Sequence, residues 1–343
     1  MAMHLNRRVF IGSTGAFLAA VASGGLATAA GKRAIARVII DNDFAGDPDG
    51  LFQLAHHLLS PSATIPLVVS SHLPVKFGGP ASATAGAAKA QELMEVMNLA
   101  QRPPILAGAE LPIASRSDWK PSPASAAIVR EAMREDADEP LFYAAGASLT
   151  ELALAWLAEP KIGRRLKLVW IGGREHPGFA YPPPGPDEAE FNFSVDTLAA
   201  RIVFNESDIE IWQVPRDVYR QVLFSLAELN ELAAVSPLVG HLKRELDNMA
   251  DALAKIPGFP TPPSSEVYVL GDSPLVTLTA LMTPIQPDPA SSRYILKPTP
   301  RLAVDGHYEE NPGGRPMRVY RTVDSALTIR DMVAKFKAMG PTV

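Results

Sequence analysis

Four aspartates lie within nine positions near the start of the chain, and their crowding is the strongest chemical signal in the sequence. Asp41, Asp43, Asp47 and Asp49 directly follow the apolar run at residues 38–40, whose β-branched side chains indicate a buried strand. Carboxylates this close repel one another unless a cation lies among them or some are protonated. We expect Ca²⁺, which takes about six to eight oxygen ligands in irregular geometry. The alternative is a solvated acidic turn, because Asp, Gly and Pro are ordinary turn residues.

The composition is that of an ordinary globular protein, and it excludes several classes of site. The 343 residues are 47% hydrophobic and 20% charged, and the length allows one large α/β domain or two smaller ones. A net charge of −5 and the lack of a long basic run argue against nucleic-acid binding. The chain has no cysteine, which excludes disulfides, thiolate metal sites and cysteine nucleophiles.

The start of the chain has the pattern of an export signal. Paired arginines at residues 7–8 precede a weakly apolar stretch, which contains the small-x-small cleavage pattern Ala-Thr-Ala at residues 27–29. Paired arginines in this position are typical of twin-arginine signals. The alternative is a membrane anchor, but the glycines, serines and threonines make a poor spanning helix. We therefore expect a signal peptide over residues 1–30 and a periplasmic or secreted mature protein over residues 31–343.

Beyond this segment, apolar runs typical of strands alternate with runs typical of helices. The predicted strands are residues 37–40, 65–70, 104–108, 140–145, 166–171, 209–214, 301–304 and 317–322. The predicted helices are residues 51–59, 81–100, 124–134, 148–157, 194–204, 226–253, 274–282 and 325–339. The alternation predicts a single-domain α/β fold with an open, mostly parallel sheet and helices on both faces.

Five segments, taken in order, resemble the nucleoside hydrolase family. They are the Asp41-x-Asp43 run with its further aspartates, the turn that starts Ala145-Gly-Ala-Ser-Leu-Thr, Ile171-Gly-Gly, Glu190-Phe-Asn192 followed by Asp196, and Gly271-Asp272. They resemble the family's Asp-x-Asp signature, its Gly-Pro-Leu-Thr turn, its Met-Gly-Gly, its Glu-Phe-Asn and its His-Asp. The ordered set, which covers nearly all of the chain after residue 30, carries the resemblance.

The resemblance implies an open α/β fold and a Ca²⁺-dependent hydrolase of N-glycosidic bonds in ribonucleosides or related ribosides. Asp43 would bind the metal and act as general base on a metal-bound water. Asp272 and the backbone carbonyl of Ala145 would complete the metal site. Glu190 and Asn192 would bind the sugar hydroxyls.

The acidic loop carries one residue more than the family pattern, so its second aspartate pair can be counted in two ways. Counted forward from the strand, the aspartate pair falls on Asp47 and Pro48. Counted back from the end of the next helix, it falls on Asp49 and Gly50. We expect both to face the site and to share the metal and ribose roles. Asp49 is assigned to the metal, Asp47 to the ribose and to catalysis, and Asp41 to buttressing the loop.

The leaving-group side departs from the family pattern. The family's histidine before the last metal aspartate often protonates the leaving base, and this chain has Gly271 there. We predict His176 as a substitute catalytic acid, with His72 as a second candidate, because histidine titrates near neutral pH. Each could instead be a structural residue, as we expect for His56 and His57.

Two alternatives to this hydrolase are left open. One is a non-catalytic relative that binds a nucleoside or sugar, which Gly271 favours and the retained Asp43 and Asp272 oppose. The other is a hydrolase of another glycosyl substrate whose good leaving group needs no acid. The expected partner is a small-molecule nucleoside or riboside, with no nucleic acid and no membrane anchor after signal cleavage. A homo-oligomer is left open.

Overall fold

The computed structural model describes residues 34–255, 265–283, 285 and 291–340, which all belong to one compact unit. The predicted signal peptide over residues 1–30 lies outside the described residues. In the described part of the chain, no helix combines the length and apolar character needed to cross a bilayer.

An eight-stranded sheet forms the centre of the fold. The strands of the protein are β1 Ala36–Asn42, β2 Ala63–Ser70, β3 Ile105–Ala107, β4 Leu141–Ala145, β5 Leu166–Ile171, β6 Glu210–Val214, β7 Leu223–Ser225, β8 Val267–Val269, β9 Arg293–Pro298, β10 Arg301–Leu302, β11 Tyr308–Glu309 and β12 Pro316–Thr322. The central sheet has the order β3-β2-β1-β4-β5-β6-β12-β9, while β7 pairs with β8 and β10 with β11. Strand β9 is antiparallel to β12, and the other neighbours in this sheet are parallel. The predicted mostly parallel sheet is thus confirmed.

Helices connect the strands and cover the sheet. They are α1 Asp49–Leu58, α2 Val75–Gly78, α3 Ser82–Val96, α4 Pro123–Ala132, α5 Thr150–Ala158, α6 Phe191–Val195, α7 Thr197–Asn205, α8 Arg216–Tyr219, α9 Leu226–Val235, α10 Pro237–Leu253, α11 Pro274–Thr279 and α12 Ser325–Ala338. A short 3₁₀ helix, Pro160–Arg164, precedes β5.

Successive side chains of β1 point to opposite sides of the sheet, and all of its residues are buried. Both faces of the sheet are therefore covered at this strand. Val38 and Ile40 belong to one hydrophobic core, together with residues of α1, α3 and α9 to α12. Ile39 belongs to a second core, together with residues of α4, α5 and α7. Two cores on the two faces of one sheet explain why residues 38–40 in the middle of β1 are all apolar.

The strand order reverses at β1, and the region beyond the carboxyl ends of β1 and β4 is called here the crevice. From β1 the chain continues through β2 to β3 on one side, whereas β4, β5 and β6 follow on the other side. Asp41 at the end of β1 is in register with Val69 of β2 and Ala145 of β4. Open α/β sheets bind their ligands at such a switch point, so residues just beyond Asp41 and Ala145 are the first candidates for a site.

The prediction of one helix over residues 226–253 is wrong, because the chain breaks into α9 and α10. Ser236, between them, has extended dihedral angles of φ −127° and ψ 114°. Pro237 follows, and the ring of a proline disfavours helical backbone at the residue before it. The edge strand β9 was not predicted.

Candidate active site

The carboxyl end of β1 places three polar side chains in a row. Asp41 is fully buried and accepts hydrogen bonds from Ser71 Oγ at 2.6 Å and from the Tyr143 hydroxyl at 2.5 Å. Burial raises the pKa of Asp41 to about 7. Asn42 is also fully buried, and its Oδ1 accepts from the backbone N–H of Asp43 at 2.9 Å. The side chain of Asp41 is therefore held by β4 and by the loop after β2, and it supports the loop that carries Asp43.

Asp43 lies in the crevice itself. Its side chain is 8% exposed, and the Gly46 backbone N–H donates to the Asp43 carbonyl at 2.8 Å, which closes a tight turn. Burial raises the pKa of the Asp43 carboxyl well above its usual value, and the charges of Asp272 and Asp47 raise it further. A carboxylate in this electrostatic position holds a proton readily unless a cation is present.

Asp49 and Asp272 meet although they come from opposite ends of the chain. Asp49 is the first residue of α1, and its Oδ2 accepts from the backbone N–H of Asp272 at 3.2 Å. The amide of Asn42 donates to Asp272 Oδ2 at 2.8 Å. Burial raises the pKa of Asp272 to about 7. Asp272, just before α11, thus closes the crevice opposite β1.

Asp47 occupies the rim of the crevice. Its side chain is exposed, and its Oδ1 accepts a hydrogen bond from the hydroxyl of Tyr268 on β8. The structure therefore places the two aspartates of the longer loop differently. Asp49 faces Asp272 inside the crevice, whereas Asp47 lies at its solvent-facing edge.

The turn after β4 approaches the same carboxylates closely. A Cβ atom on Gly146 would lie 2.4 Å from Asn42 Nδ2 and 2.7 Å from the Asp272 carboxyl, so this position has no room for a side chain. Its backbone N–H donates to the Asp41 carbonyl at 2.9 Å. Ala145, whose carbonyl was predicted as a metal ligand, is the last residue of β4 and is fully buried.

Glu190 and Asn192 lie on the neighbouring side of the crevice, at the start of α6. Glu190 Oε2 accepts from the backbone N–H groups of Gly173 at 2.8 Å and Phe193 at 3.0 Å, and Oε1 accepts from the Tyr219 hydroxyl at 3.0 Å. The Asn192 amide donates to two backbone carbonyls, that of Gly146 at 3.0 Å and that of Ile171 at 2.8 Å. These hydrogen bonds fix both side chains next to the ends of β4 and β5.

Gly271 lies between Asp49 and Tyr219. A Cβ atom on Gly271 would be 3.2 Å from Asp49 Oδ2 and 3.4 Å from Cδ2 of Tyr219. A Cβ atom at position 271 would therefore be in ordinary van der Waals contact with the ring of Tyr219.

The two predicted substitute acids are buried away from solvent. His176 is fully buried, with Nε2 2.8 Å from Gln213 Oε1 and Nδ1 3.1 Å from Lys297 Nζ. Its ring stacks on that of Tyr308 at 4.1 Å, and burial lowers its pKa to about 4. His72 is 1% exposed, and burial lowers its pKa as well. The structure does not place either imidazole beside Asp43.

The four carboxylates Asp43, Asp47, Asp49 and Asp272 are called here the acidic cluster. Within the described residues, none of their hydrogen bonds involves lysine or arginine. Burial raises the pKa of Asp49 well above its usual value, and the charge of Asp272 raises it further. An all-oxygen donor set that lacks positive charge fits Ca²⁺.

The side chains of the acidic cluster alone do not form a complete metal cage. In the part of the chain that the structure describes, no three His, Asp or Glu side chains converge closely enough to hold a metal ion. A cation in the crevice would therefore depend on backbone and ligand oxygens as well as on carboxylates, which Ca²⁺ accepts and which the backbone around Ala145 could supply.

Sequence reasoning missed four polar residues of this region. Asn42 lies between Asp41 and Asp43, so its position at the strand end could have indicated that it belongs to the site. Gln53, Tyr219 and Tyr268 carry no pattern that links them to the aspartates, because they come from other elements and reach the site through packing.

Comparisons with known proteins identify the family and the fold. The family model described as inosine-uridine preferring nucleoside hydrolase matches residues 38–311. An inosine-uridine preferring nucleoside hydrolase from Crithidia fasciculata is 34% identical over 114 residues, which are 33% of this chain and 31% of that protein. The chain thus matches less than a third of that relative's length.

Solved structures share the fold along nearly their whole length. A plant nucleoside hydrolase, PpNRh1, is similar with a TM-score of 0.65 at 18% identity, over 89% of this chain and 99% of that one. An inosine-uridine preferring nucleoside hydrolase from Bacillus anthracis has a TM-score of 0.59 at 18% identity, over 88% and 99% of the two chains. A purine-preferring ribonucleoside hydrolase from Gardnerella vaginalis has a TM-score of 0.62 at 18% identity, over 88% and 98%. Because the family model covers most of this chain, the protein belongs to the inosine-uridine preferring nucleoside hydrolase family.

Proposed function

We propose that this protein is an exported, Ca²⁺-dependent hydrolase that cleaves the N-glycosidic bond of ribonucleosides or related ribosides by attack of water. The observation that carries the proposal is the meeting of Asp272 with Asp49 and Asn42 at the switch point of the sheet. Acids from both ends of the chain thereby surround one crevice. Membership of the nucleoside hydrolase family supports the same activity.

Ca²⁺ is the proposed cofactor because it suits a crowded set of oxygen donors. Asp43, Asp49, Asp272 and the carbonyl of Ala145 are the groups that would hold it. When bound, such a cation lowers the pKa of a coordinated water and orients it for attack. Relief of the repulsion within the acidic cluster would favour binding, since each carboxylate then gains an opposite charge.

Asp43 is the proposed general base. It would take the proton of the attacking water, a role that suits a carboxyl whose pKa is moved upward by burial and neighbouring charge. Asp47, at the rim, is proposed to bind the ribose and to assist catalysis. Its hydrogen bond to Tyr268 holds it at the entrance of the crevice.

Glu190 and Asn192 are proposed to bind the sugar. Glycosidic cleavage builds positive charge on the sugar, and fixed negative groups stabilise such charge. Glu190 is held by backbone N–H groups and by Tyr219, so it is positioned before the substrate arrives. Asn192 uses its amide nitrogen on two carbonyls, which leaves its Oδ1 as the atom to accept from a sugar hydroxyl.

The leaving-group side favours a second candidate function, hydrolysis of a glycosyl substrate with a good leaving group. Gly271 has no side-chain group that can donate a proton, and the ring of Tyr219 lies beside it. His176, the substitute acid predicted from sequence, is fully buried with both nitrogens next to polar partners. A substrate whose leaving group departs without protonation would not need an acid at this place.

A comparison of substrates tests both functions. The full chain would be assayed with inosine, uridine and p-nitrophenyl riboside, each in Ca²⁺ and in EDTA. EDTA-sensitive hydrolysis of a nucleoside supports the primary proposal, and hydrolysis of p-nitrophenyl riboside alone supports the second candidate. Binding of ribose with no hydrolysis of any of the three would contradict both and indicate a non-catalytic relative.

Export is proposed from the paired arginines at residues 7–8 and the apolar stretch that follows them. Twin-arginine export carries folded proteins, so the metal site would form before transport. In a host with that pathway, Arg7→Lys with Arg8→Lys should retain the precursor inside the cell. Secretion of the double variant at the wild-type level would contradict a twin-arginine signal.

A further inference from the structure

A chain of buried polar groups runs beneath Asp272. Its members are Asn42, Gln53, His57 and Thr279, which all have no exposed surface and are called here the amide relay. Asn42 Nδ2 lies 2.8 Å from Asp272 Oδ2 and 3.3 Å from Gln53 Oε1. Gln53 Nε2 lies 2.5 Å from His57 Nδ1, and His57 Nε2 lies 2.8 Å from Thr279 Oγ1. The relay therefore connects the acidic cluster with α1 and α11.

The hydrogen bonds of the amide relay have a single direction. Thr279 Oγ1 donates to the Leu275 carbonyl at 2.6 Å, so it must accept from His57. His57 therefore carries its proton on Nε2, and its Nδ1 accepts from the amide nitrogen of Gln53. Gln53 Oε1 is then left to accept from Asn42, whose remaining N–H donates to Asp272.

The opposite tautomer of His57 would reverse every amide in the relay. With a proton on Nδ1, His57 would require the oxygen of Gln53, and Gln53 would turn its N–H toward Asn42. Asn42 would then turn its oxygen toward the Asp272 carboxylate and its N–H toward the backbone N–H of Asp43. Both contacts are repulsive, and buried polar groups left unmatched in this way are destabilising.

Two glycines restrict Asn42 to a narrow slot. A Cβ atom on Gly50 would lie 2.7 Å from Asn42 Cγ, and a Cβ atom on Gly146 would lie 2.4 Å from Asn42 Nδ2. The amide is therefore closely packed on both sides, and an exchange of its nitrogen and oxygen is the main freedom left to it. The contact with Gln53 Oε1 adds to those with Asp272 and the Asp43 N–H in favour of one of these two orientations.

The neighbouring histidine serves as a natural comparison. His56 is also fully buried on α1, but its Nε2 lies 2.7 Å from Asp331 Oδ2 on α12, away from the acidic cluster. Two adjacent buried imidazoles on one helix thus have different connections. In the described structure, the hydrogen bonds of His57 lead to the acidic cluster, and that of His56 does not.

We propose that His57 is a positioning residue, which acts through Gln53 to hold the N–H of Asn42 toward Asp272 and thereby prepares Asp272 for the cation. The proposal rests on the proposed function, since it concerns the same cation. His57 does not touch substrate or metal in this role. Its contribution is to fix the Gln53 amide, whose oxygen then holds the N–H end of Asn42 in place beside the carboxylate.

Calcium affinity, measured by titration calorimetry on the full chain, provides the main test. His57→Leu removes the acceptor at Nδ1, whereas His57→Asn keeps a side-chain oxygen near that position and should restore the bond to Gln53. Loss of a group that hydrogen-bonds a metal ligand directly weakens binding by about 10- to 100-fold, and because His57 acts through two amides we expect about tenfold for His57→Leu. His57→Asn and the matched control His56→Leu should stay within about threefold of wild type. Equal affinity of His57→Leu and His56→Leu would overturn the proposal.

Nuclear magnetic resonance separates failure of this inference from failure of the proposed function. The wild-type ¹⁵N spectrum should show His57 as the Nε2–H tautomer, and the side-chain amide of Asn42 should exchange slowly with water. In His57→Leu the Asn42 amide signals should shift and exchange faster, while His56→Leu should leave them unchanged. Absence of calcium binding in wild type would contradict the proposed cofactor only. Unchanged Asn42 signals in His57→Leu would overturn the relay whether or not calcium binds.

Discussion

Asp49 Oδ2 accepts a hydrogen bond from the backbone N–H of Asp272 at 3.2 Å, across 223 residues of sequence. One residue begins α1, and the other immediately precedes α11. This contact closes the crevice at the end of β1, and it brings a second carboxylate to within the electrostatic reach of Asp43.

Asp43→Asn is expected to abolish turnover and to weaken calcium binding. The amide cannot accept a proton from water, and it removes one negative charge from the acidic cluster. Loss of a general base typically lowers the rate by about 10²- to 10⁴-fold. The measurement is kcat on the best substrate together with calcium titration. The matched control is Asp247→Asn, which alters a 58% exposed carboxylate on α10. Full activity of Asp43→Asn would exclude Asp43 as the base.

Removal of calcium is expected to lower the melting temperature. An ion that binds only the folded chain raises the free energy of unfolding, by about 2.7 kcal/mol when the ion concentration is a hundred times its Kd. Thermal unfolding in EDTA and in excess Ca²⁺ measures the difference. Asp272→Asn should show almost no difference between the two conditions, because it removes a proposed ligand. Identical wild-type curves in both conditions would argue against a bound metal.

Gly146→Ala is expected to destabilise the protein and to weaken calcium binding. The added Cβ would lie 2.4 Å from Asn42 Nδ2 and 2.7 Å from the Asp272 carboxyl, so at least one of these groups must move. Overpacking of this kind costs about 1–3 kcal/mol of the free energy of unfolding. The control is Gly313→Ala, whose Cβ would meet no atom within 4 Å and which should change that free energy by at most about 0.5 kcal/mol. Denaturant unfolding compares the two, and equal stability of both variants would contradict the close approach.

His176 is expected to make stability fall as the solution becomes acidic. Burial lowers its pKa from 6.5 to about 4, so below pH 6.5 the unfolded chain binds a proton that the native protein does not. The contribution of His176 to the free energy of unfolding is therefore complete above pH 6.5. It is lost as the pH falls toward 4, at up to about 1.4 kcal/mol per pH unit.

Urea unfolding of wild type and His176→Gln, at about pH 7.5 and about pH 5, tests this dependence. The decrease in the free energy of unfolding between the two pH values should be smaller in the variant. Above the pKa of free histidine the two proteins should respond to pH in parallel, which serves as the internal control. An equal decrease in both proteins would show that His176 is protonated in the native state.

The fold class could be predicted from local sequence because strand and helix periodicity are short-range properties. The run before Asp41 and the strand that ends at Ala145 were both recognisable, and parallel strands place their carboxyl ends at one edge of a sheet. Asp43 and Gly146 therefore follow strand ends that the sequence already indicated. The break at Ser236 was also encoded locally, by the proline that follows it, but the long apolar pattern concealed it.

The sequence by itself determined that acids cluster at a strand end, that the chain folds as an α/β protein, and that a glycine stands at position 271. Only the tertiary structure decided that Asp49 faces Asp272 while Asp47 lies at the rim, and that His57 connects to Asn42 while His56 does not. The physical reason is that side-chain burial and hydrogen-bond partners depend on elements far apart in the chain. Packing brings those elements together, and no local pattern shows which partners each of two neighbouring residues will meet.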